Sequence, residues 1–182
     1  MRDIVNAPIF IRLGARLRGP DEPPVGAVRR INISNIIASN VAPDQGILIS
    51  GLPDHPIEDV NLSNIRIVYQ GGGTAGEAKR EVPEYENDYP EPARFGTIPS
   101  WGMFVRHVKG LVANNVELSL MKDDLRPAFI LDDVKGATFR FLKVPRYQNV
   151  STFILKNVED FSVYRSQPVP DAQLEQVESK SF

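Results

Sequence analysis

The chain has no cysteine, which removes disulfides and thiolate metal sites from its design. It lacks any apolar run near the roughly 20 residues needed to span a bilayer. The opening stretch Met1 to Ile11 is not expected to act as a secretory leader, because its apolar run is short and is interrupted by Asp3 and Pro8. No charge of one sign prevails. Twenty-one Lys and Arg stand against 23 Asp and Glu, a formal net charge of -2, so neither nucleic acid nor a membrane is expected as partner. No phosphate-cradling loop, metal-ligand spacing or covalent nucleophile arrangement occurs, and no cofactor or metal is expected. These absences predict a soluble protein and leave its compartment open. At 182 residues it is long enough for one sizeable core and short for two typical domains.

What is present is a repeat. Ile9-Phe10-Ile11, Ile47-Leu48-Ile49, Met103-Phe104-Val105, Phe129-Ile130-Leu131 and Phe153-Ile154-Leu155 are short continuous apolar runs. In the last three, a valine (Val108, Val134, Val158) follows four residues after the central position and opens a second pattern. That pattern is fullest in Ile57-Glu58-Asp59-Val60-Asn61-Leu62-Ser63-Asn64-Ile65-Arg66-Ile67. Shorter versions begin at Val28, Val108, Val134 and Val158. Phe104 to Ile130 is 26 residues and Ile130 to Ile154 is 24, a period of one supersecondary unit per copy.

Each copy offers strands of period 2, none long enough to make a one-sided sheet, so stacking is the way to bury the inward residues. The pattern therefore predicts an all-β chain. Its expected form is a single right-handed parallel β-helix, a solenoid of about five coils with two long insertions. A β-sandwich has no reason to repeat at about 25 residues, and the regular helical return of a leucine-rich repeat is missing. Asn35, Asn64 and Asn115 share one register and are expected to form a side-chain ladder at a turn.

The β-helix is expected over residues 1–165, with a polar tail over 166–182. Within the tail, Leu174 to Phe182 has the look of a short helix or a frayed end. The insertions run from Gly14 to Ala27 and from Gly71 to Gly102, and the second carries Tyr85, Tyr89, Phe95 and Trp101. A loop of that length in a compact domain is usually functional or disordered, and its aromatics argue against disorder. A solenoid needs both ends covered. The tail is placed to cover one end, whereas no cap precedes the first apolar strand, as expected of a chain that starts inside a longer solenoid.

Several segments resemble polygalacturonase-like enzymes, glycoside hydrolase family 28. They are Asn6-Ala7-Pro8-Ile9-Phe10-Ile11, Ile57 to Ile65, the loop from Tyr89-Pro90-Glu91 to Phe95-Gly96, and Met103-Phe104-Val105-Arg106-His107-Val108. The resemblance covers about Asp3 to Val144 and is to the C-terminal part of the family, its most specific portion being Glu81 to His107. It implies a pectin-type, uronic-acid-containing polysaccharide as partner and a periplasmic or secreted location. Family members hydrolyse with inversion, one aspartic acid protonating the leaving oxygen while others activate water. The family's Asn-Thr-Asp, Asp-Asp, Gly-His-Gly and Arg-Ile-Lys segments are absent here in that order, so no residue of this chain is expected to be catalytic.

Two Asp-Asp pairs are read accordingly. Asp132-Asp133 occupies the place of Arg106-His107 and Lys156-Asn157 in neighbouring copies and reads as a polar turn. Asp123-Asp124 reads as a solvated turn, and His55, in Asp54-His55-Pro56, as a turn residue. The candidate substrate-binding residues are Arg12, Tyr89, Trp101, Arg106 and His107. Arginine and histidine at a strand end suit a uronate carboxylate, and aromatic rings suit either a sugar face or the anchoring of the loop.

Three functions follow as expectations. The first is the C-terminal part of a pectin-directed glycoside hydrolase, inactive alone and contributing groove residues. The second is a non-catalytic carbohydrate-binding or structural module. The third is end-to-end pairing with another copy.

Overall fold

A computed structural model describes residues 1–19, 21 and 23–182. It is all-β, and its sheet is mostly parallel. The strands are β1 (Phe10–Arg12), β2 (Arg29–Val41), β3 (Ile47–Ser50), β4 (Ile57–Tyr69), β5 (Met103–Leu120), β6 (Phe129–Arg140), β7 (Phe153–Tyr164) and β8 (Ala172–Ser181). One ladder runs β1-β3-β5-β6-β7-β8, and β2-β4 joins it through β5. All these pairings are parallel except β7 with β8. The 18-residue β5 is long enough to pair with β3 along its first part and with β4 along the rest.

The register aligns the repeat as the sequence spacing requires. Phe10, Leu48, Phe104, Ile130 and Ile154 are successive partners, and so are Ile57, Val108, Val134 and Val158. Inward positions form aliphatic and aromatic columns almost wholly shielded from water, such as Val60-Leu111-Ala137-Phe161 and Leu62-Ala113-Phe139-Val163. In β5 and β6 the small Ala113 and Ala137 sit beside the large Leu111 and Phe139. Alternation of this kind fills the interior without voids. Phe129 and Phe153 stack at 4.6 Å.

The long strands bend at left-handed residues that fall in register. His107, Asp133 and Asn157 (φ 51, 54 and 50°) form one column, and Asp59, Gly110, Gly136 and Asp160 a second. Asn35, Asn64 and Asn115 (φ 60, 53 and 55°) form a third. Asn, Asp and Gly tolerate this conformation better than other residues, which explains their recurrence. The asparagine ladder forms. Asn64 Nδ2 donates to Asn35 Oδ1 at 3.2 Å, and Asn115 Nδ2 to Asn64 Oδ1 at 2.9 Å.

The two ends of the sheet differ. Leu174 to Phe182 is neither helical nor frayed. Most of it lies in β8, antiparallel on β7, with Val177 opposite Val158 and Leu174 opposite Phe161. Phe182 stacks on Phe153 at 5.4 Å. The open edge of β7 supplies backbone partners that a lone helix lacks, and local propensity yields to them. At the other end, residues 1–4 lie along only the second half of β2, where Arg2 bridges to Ser39 and the Met1 amino group donates to Ile37 O at 2.7 Å. Ile31, Ile33 and Ile36 of β2 are half-buried, whereas their β4 partners are buried.

Candidate functional site

The continuous apolar runs have a specific consequence. In β5, Met103 and Val105 enter the main core, while Phe104 points to the opposite face and joins a second cluster with Leu48, Phe95, Ile98 and Ile130. Phe95 and Ile98 belong to the insertion after β4, which folds down over that face. Strands apolar on both faces are strands covered on both faces.

Polar side chains at the same strand ends hold the insertion in place. Arg12 donates through Nη2 to Glu84 O and Tyr85 O at 2.7 and 2.6 Å, and its guanidinium lies 4.8 Å from the centre of the Phe95 ring. Arg106, 5% exposed, donates to Val82 O and Pro83 O at 2.6 and 3.1 Å and pairs with Glu84 at 3.1 Å. Ser50 Oγ lies 3.4 Å from both guanidiniums. Burial pulls the Arg106 pKa below its ordinary value, opposed by Glu84 and Asp132. Burial and then the charge of Arg106 do the same to Arg12, opposed by Glu84 and Asp88. A guanidinium stays charged through such shifts.

His107 completes the cluster. Its Nδ1 is 2.5 Å from Asp133 Oδ2 and its Nε2 is 3.0 Å from Glu84 Oε1. Only the imidazolium can donate to both carboxylates at once. Three of the five candidate residues, Arg12, Arg106 and His107, thus converge on Glu84, and their main partners belong to the protein itself.

The other two lie elsewhere. Trp101 is not at the surface: it is 2% exposed and meets Tyr69 edge-to-face at 5.9 Å. Its ring is a core element and has no face to offer a sugar. Burial pushes the neighbouring Tyr69 phenol far up, and that hydroxyl donates to Gly102 O at 3.1 Å. Tyr89 is exposed, with the Arg16 guanidinium 3.6 Å and that of Arg18 5.6 Å from its ring centre. A hydrogen bond from Arg16, then the charges of Arg16 and Arg18, lower its pKa.

Two further sequence readings change or sharpen. Asp124 is not solvated: it is fully buried and paired with Arg126 at 2.7 Å. Gly73 leaves room for the pair, since a Cβ there would lie 2.1 Å from Arg126 Nε. His55 closes a tight turn, exchanging backbone hydrogen bonds with Leu52.

Beside the cluster runs a groove of about 410 Å³. Phe104, Ile130 and Ile154 line it in register, and Arg106, Asp132 and Lys156 form the next outward column. The insertion adds Lys79, Arg80 and Glu81. Four cations and two carboxylates therefore line the groove, but Arg80 and Arg106 are held by main-chain carbonyls of the insertion and only Lys79 and Lys156 are exposed cations. Of the five candidates only Arg106 reaches this groove, and Lys79, Arg80 and Lys156 were not singled out. The signal for Lys156 was its place in the Arg106-Asp132 register, whereas Lys79 and Arg80 depend on how the insertion folds. Among the described residues, no group of three histidines and carboxylates is placed to hold a metal ion.

Comparison with family models, with curated proteins and with solved structures finds no match for this chain.

Proposed function

We propose that this chain is the C-terminal portion of a right-handed parallel β-helix directed at polygalacturonate-type polysaccharide, contributing groove residues without catalysing hydrolysis alone. The observation that carries this is the groove in which the exposed Lys79 and Lys156 flank the Phe104-Ile130-Ile154 column, with Arg80 and Arg106 in its wall held by carbonyls of the insertion. The exposed ammoniums of Lys79 and Lys156 suit the carboxylates of a uronan, and Ile154, the half-buried member of the stripe, suits the C–H face of a ring. The bends in register and the two-sided ladder support the solenoid form. The half-buried isoleucines of β2 suit an edge that further coils would cover. Asp132 reaches the groove, but Asp133 is a bend residue held by His107. Inverting hydrolysis needs two carboxylates flanking the scissile bond, roughly 6.5–9.5 Å apart, and this pair does not supply them.

The test is calorimetric titration of the purified chain with trigalacturonate, alongside reducing-sugar release from polygalacturonate. Binding without turnover, weakened about tenfold by Lys156→Gln, is the expected result. Absence of binding would remove the carbohydrate-directed reading, and turnover abolished by Asp132→Asn would remove its non-catalytic part.

A second reading rests on the β2 edge. The end at β7 is covered by β8, whereas among the described residues the backbone of Arg29 to Ile36 has strand pairing only on the β4 side. Pairing of two copies through β2 would give a two-fold dimer with the isoleucines of both edges covered. Elution as a monomer in size-exclusion chromatography would exclude it.

A further inference from the structure

We propose that the β8 end of the sheet carries a second binding site, for a short acidic sugar of uronate type, which shares its ligand class with the function proposed above but none of the groove residues. A concavity of about 740 Å³ lies between residues 146–152 and the segment from Pro168 to Phe182. Binding cavities for small ligands run from about 300 to 1,000 Å³, so this one has room for a di- or trisaccharide.

Its lining suits one ligand chemistry. Arg146 and Lys180 contribute two cations, both exposed and neither in a salt bridge among the described residues. Among the described residues no Asp or Glu lines the cavity, although acids outnumber bases in the chain. The described lining thus carries two cationic side chains and no carboxylate, which suits a negative group even with Asp123 and Asp124 near enough to act on Tyr147. Phosphate alone would leave the rest of the wall unused. Gln148, Asn149 and Ser151 place amides and a hydroxyl there, donors and acceptors of the kind sugar hydroxyls pair with. Val150, Leu174 and Phe182 supply apolar surface.

Tyr147 joins the two chemistries, because its ring can cover a sugar's C–H face while its hydroxyl bonds an edge. Burial, then the charges of Asp123 and Asp124, raise the phenol's pKa, so it remains a neutral donor at ordinary pH. Cation, amide, hydroxyl and ring together match a polyhydroxylated ring bearing a carboxylate.

The experiment titrates the ¹⁵N-labelled chain with trigalacturonate, its methyl ester and benzoate, following backbone amides. Saturable shifts at residues 146–152 and 172–182 are expected with trigalacturonate. About tenfold weaker binding is expected for the methyl ester, and likewise for Arg146→Gln and Lys180→Gln. Benzoate should not saturate the site at the same concentration. The proposal is overturned if those amides stay still, if the ester binds equally well, or if benzoate competes. The ester and benzoate comparisons use the unaltered chain, so a variant that fails to fold leaves the proposal testable. Amides of residues 79–81 and 156 report the groove in the same spectra, so the two sites succeed or fail separately.

Discussion

Arg126 and Asp124 form an ion pair at 2.7 Å with both side chains almost wholly shielded from water. The pair fastens three segments. Arg126 also donates to Ile98 O at 3.1 Å and Pro43 O at 2.8 Å, and Asp124 accepts from the Gly73 N–H at 2.9 Å. Both ends of the long insertion are thus fixed to the β6 side of the sheet. Replacing Arg126 with methionine strands a buried carboxylate, so Arg126→Met should lose about 3–5 kcal/mol of stability. A urea midpoint measurement checks this.

The same pair predicts an acid limb. Burial favours the protonated Asp124, but hydrogen bonds from Arg126, its charge and the Gly73 N–H outweigh burial and hold the carboxyl below its ordinary value of 3.8. A depressed folded pKa contributes stability that is full above the unfolded value and fades as pH falls through the folded one. Stability should therefore fall from about pH 5 downward. In Asp124→Asn that part of the fall should be missing. Denaturation midpoints across the range read both curves.

Arg106 holds the insertion through main-chain carbonyls. Arg106→Met should release the Val82 to Glu84 segment at a loss of about 2 kcal/mol. In hydrogen exchange, amides near this segment should lose protection while β6 and β7 amides keep theirs. Arg106→Lys should not restore it, because an ammonium cannot reproduce the planar fork that spans both carbonyls.

Asn64 combines a left-handed backbone with the middle rung of the asparagine ladder. Asn64→Ala should destabilise by about 1–2 kcal/mol. Asn64→Gly should lose less, since glycine accepts the positive φ. Equilibrium unfolding of the two variants separates the backbone contribution from the ladder.

Trp101 is the sole tryptophan and is buried against Tyr69. Trp101→Ala should lose about 3–5 kcal/mol, as a core substitution does. In the unaltered chain, Trp101 emission should stay unchanged on adding trigalacturonate and shift to the red on unfolding. A change on ligand addition would put its ring in a binding site.

The ladder was legible because periodicity is a local property with a global consequence. Val108, Val134 and Val158 align by their spacing along the chain, since partners in successive parallel strands recur about once per repeat. The same applies to Asn35, Asn64 and Asn115, because few residue types accept the bend they occupy. The site was legible only in part. Arg12, Arg106 and His107 stood out by residue type and strand-end position, but type does not reveal whether a guanidinium faces a ligand or a carbonyl of its own chain.

Trp101 illustrates the limit, because an aromatic beside a loop reads alike in sequence whether it is displayed or buried. Leu174 to Phe182 does so too, for its spacing suits a helix, whereas the free edge of β7 offers it strand partners. The repeat, the all-β class and the bends were thus determined by the sequence itself, through spacing and backbone preference. How the insertion folds, which arginines it engages, where Asp124 lies and what covers β7 were decided by tertiary structure, because each depends on which distant segment supplies the partner for a buried polar group or an open edge.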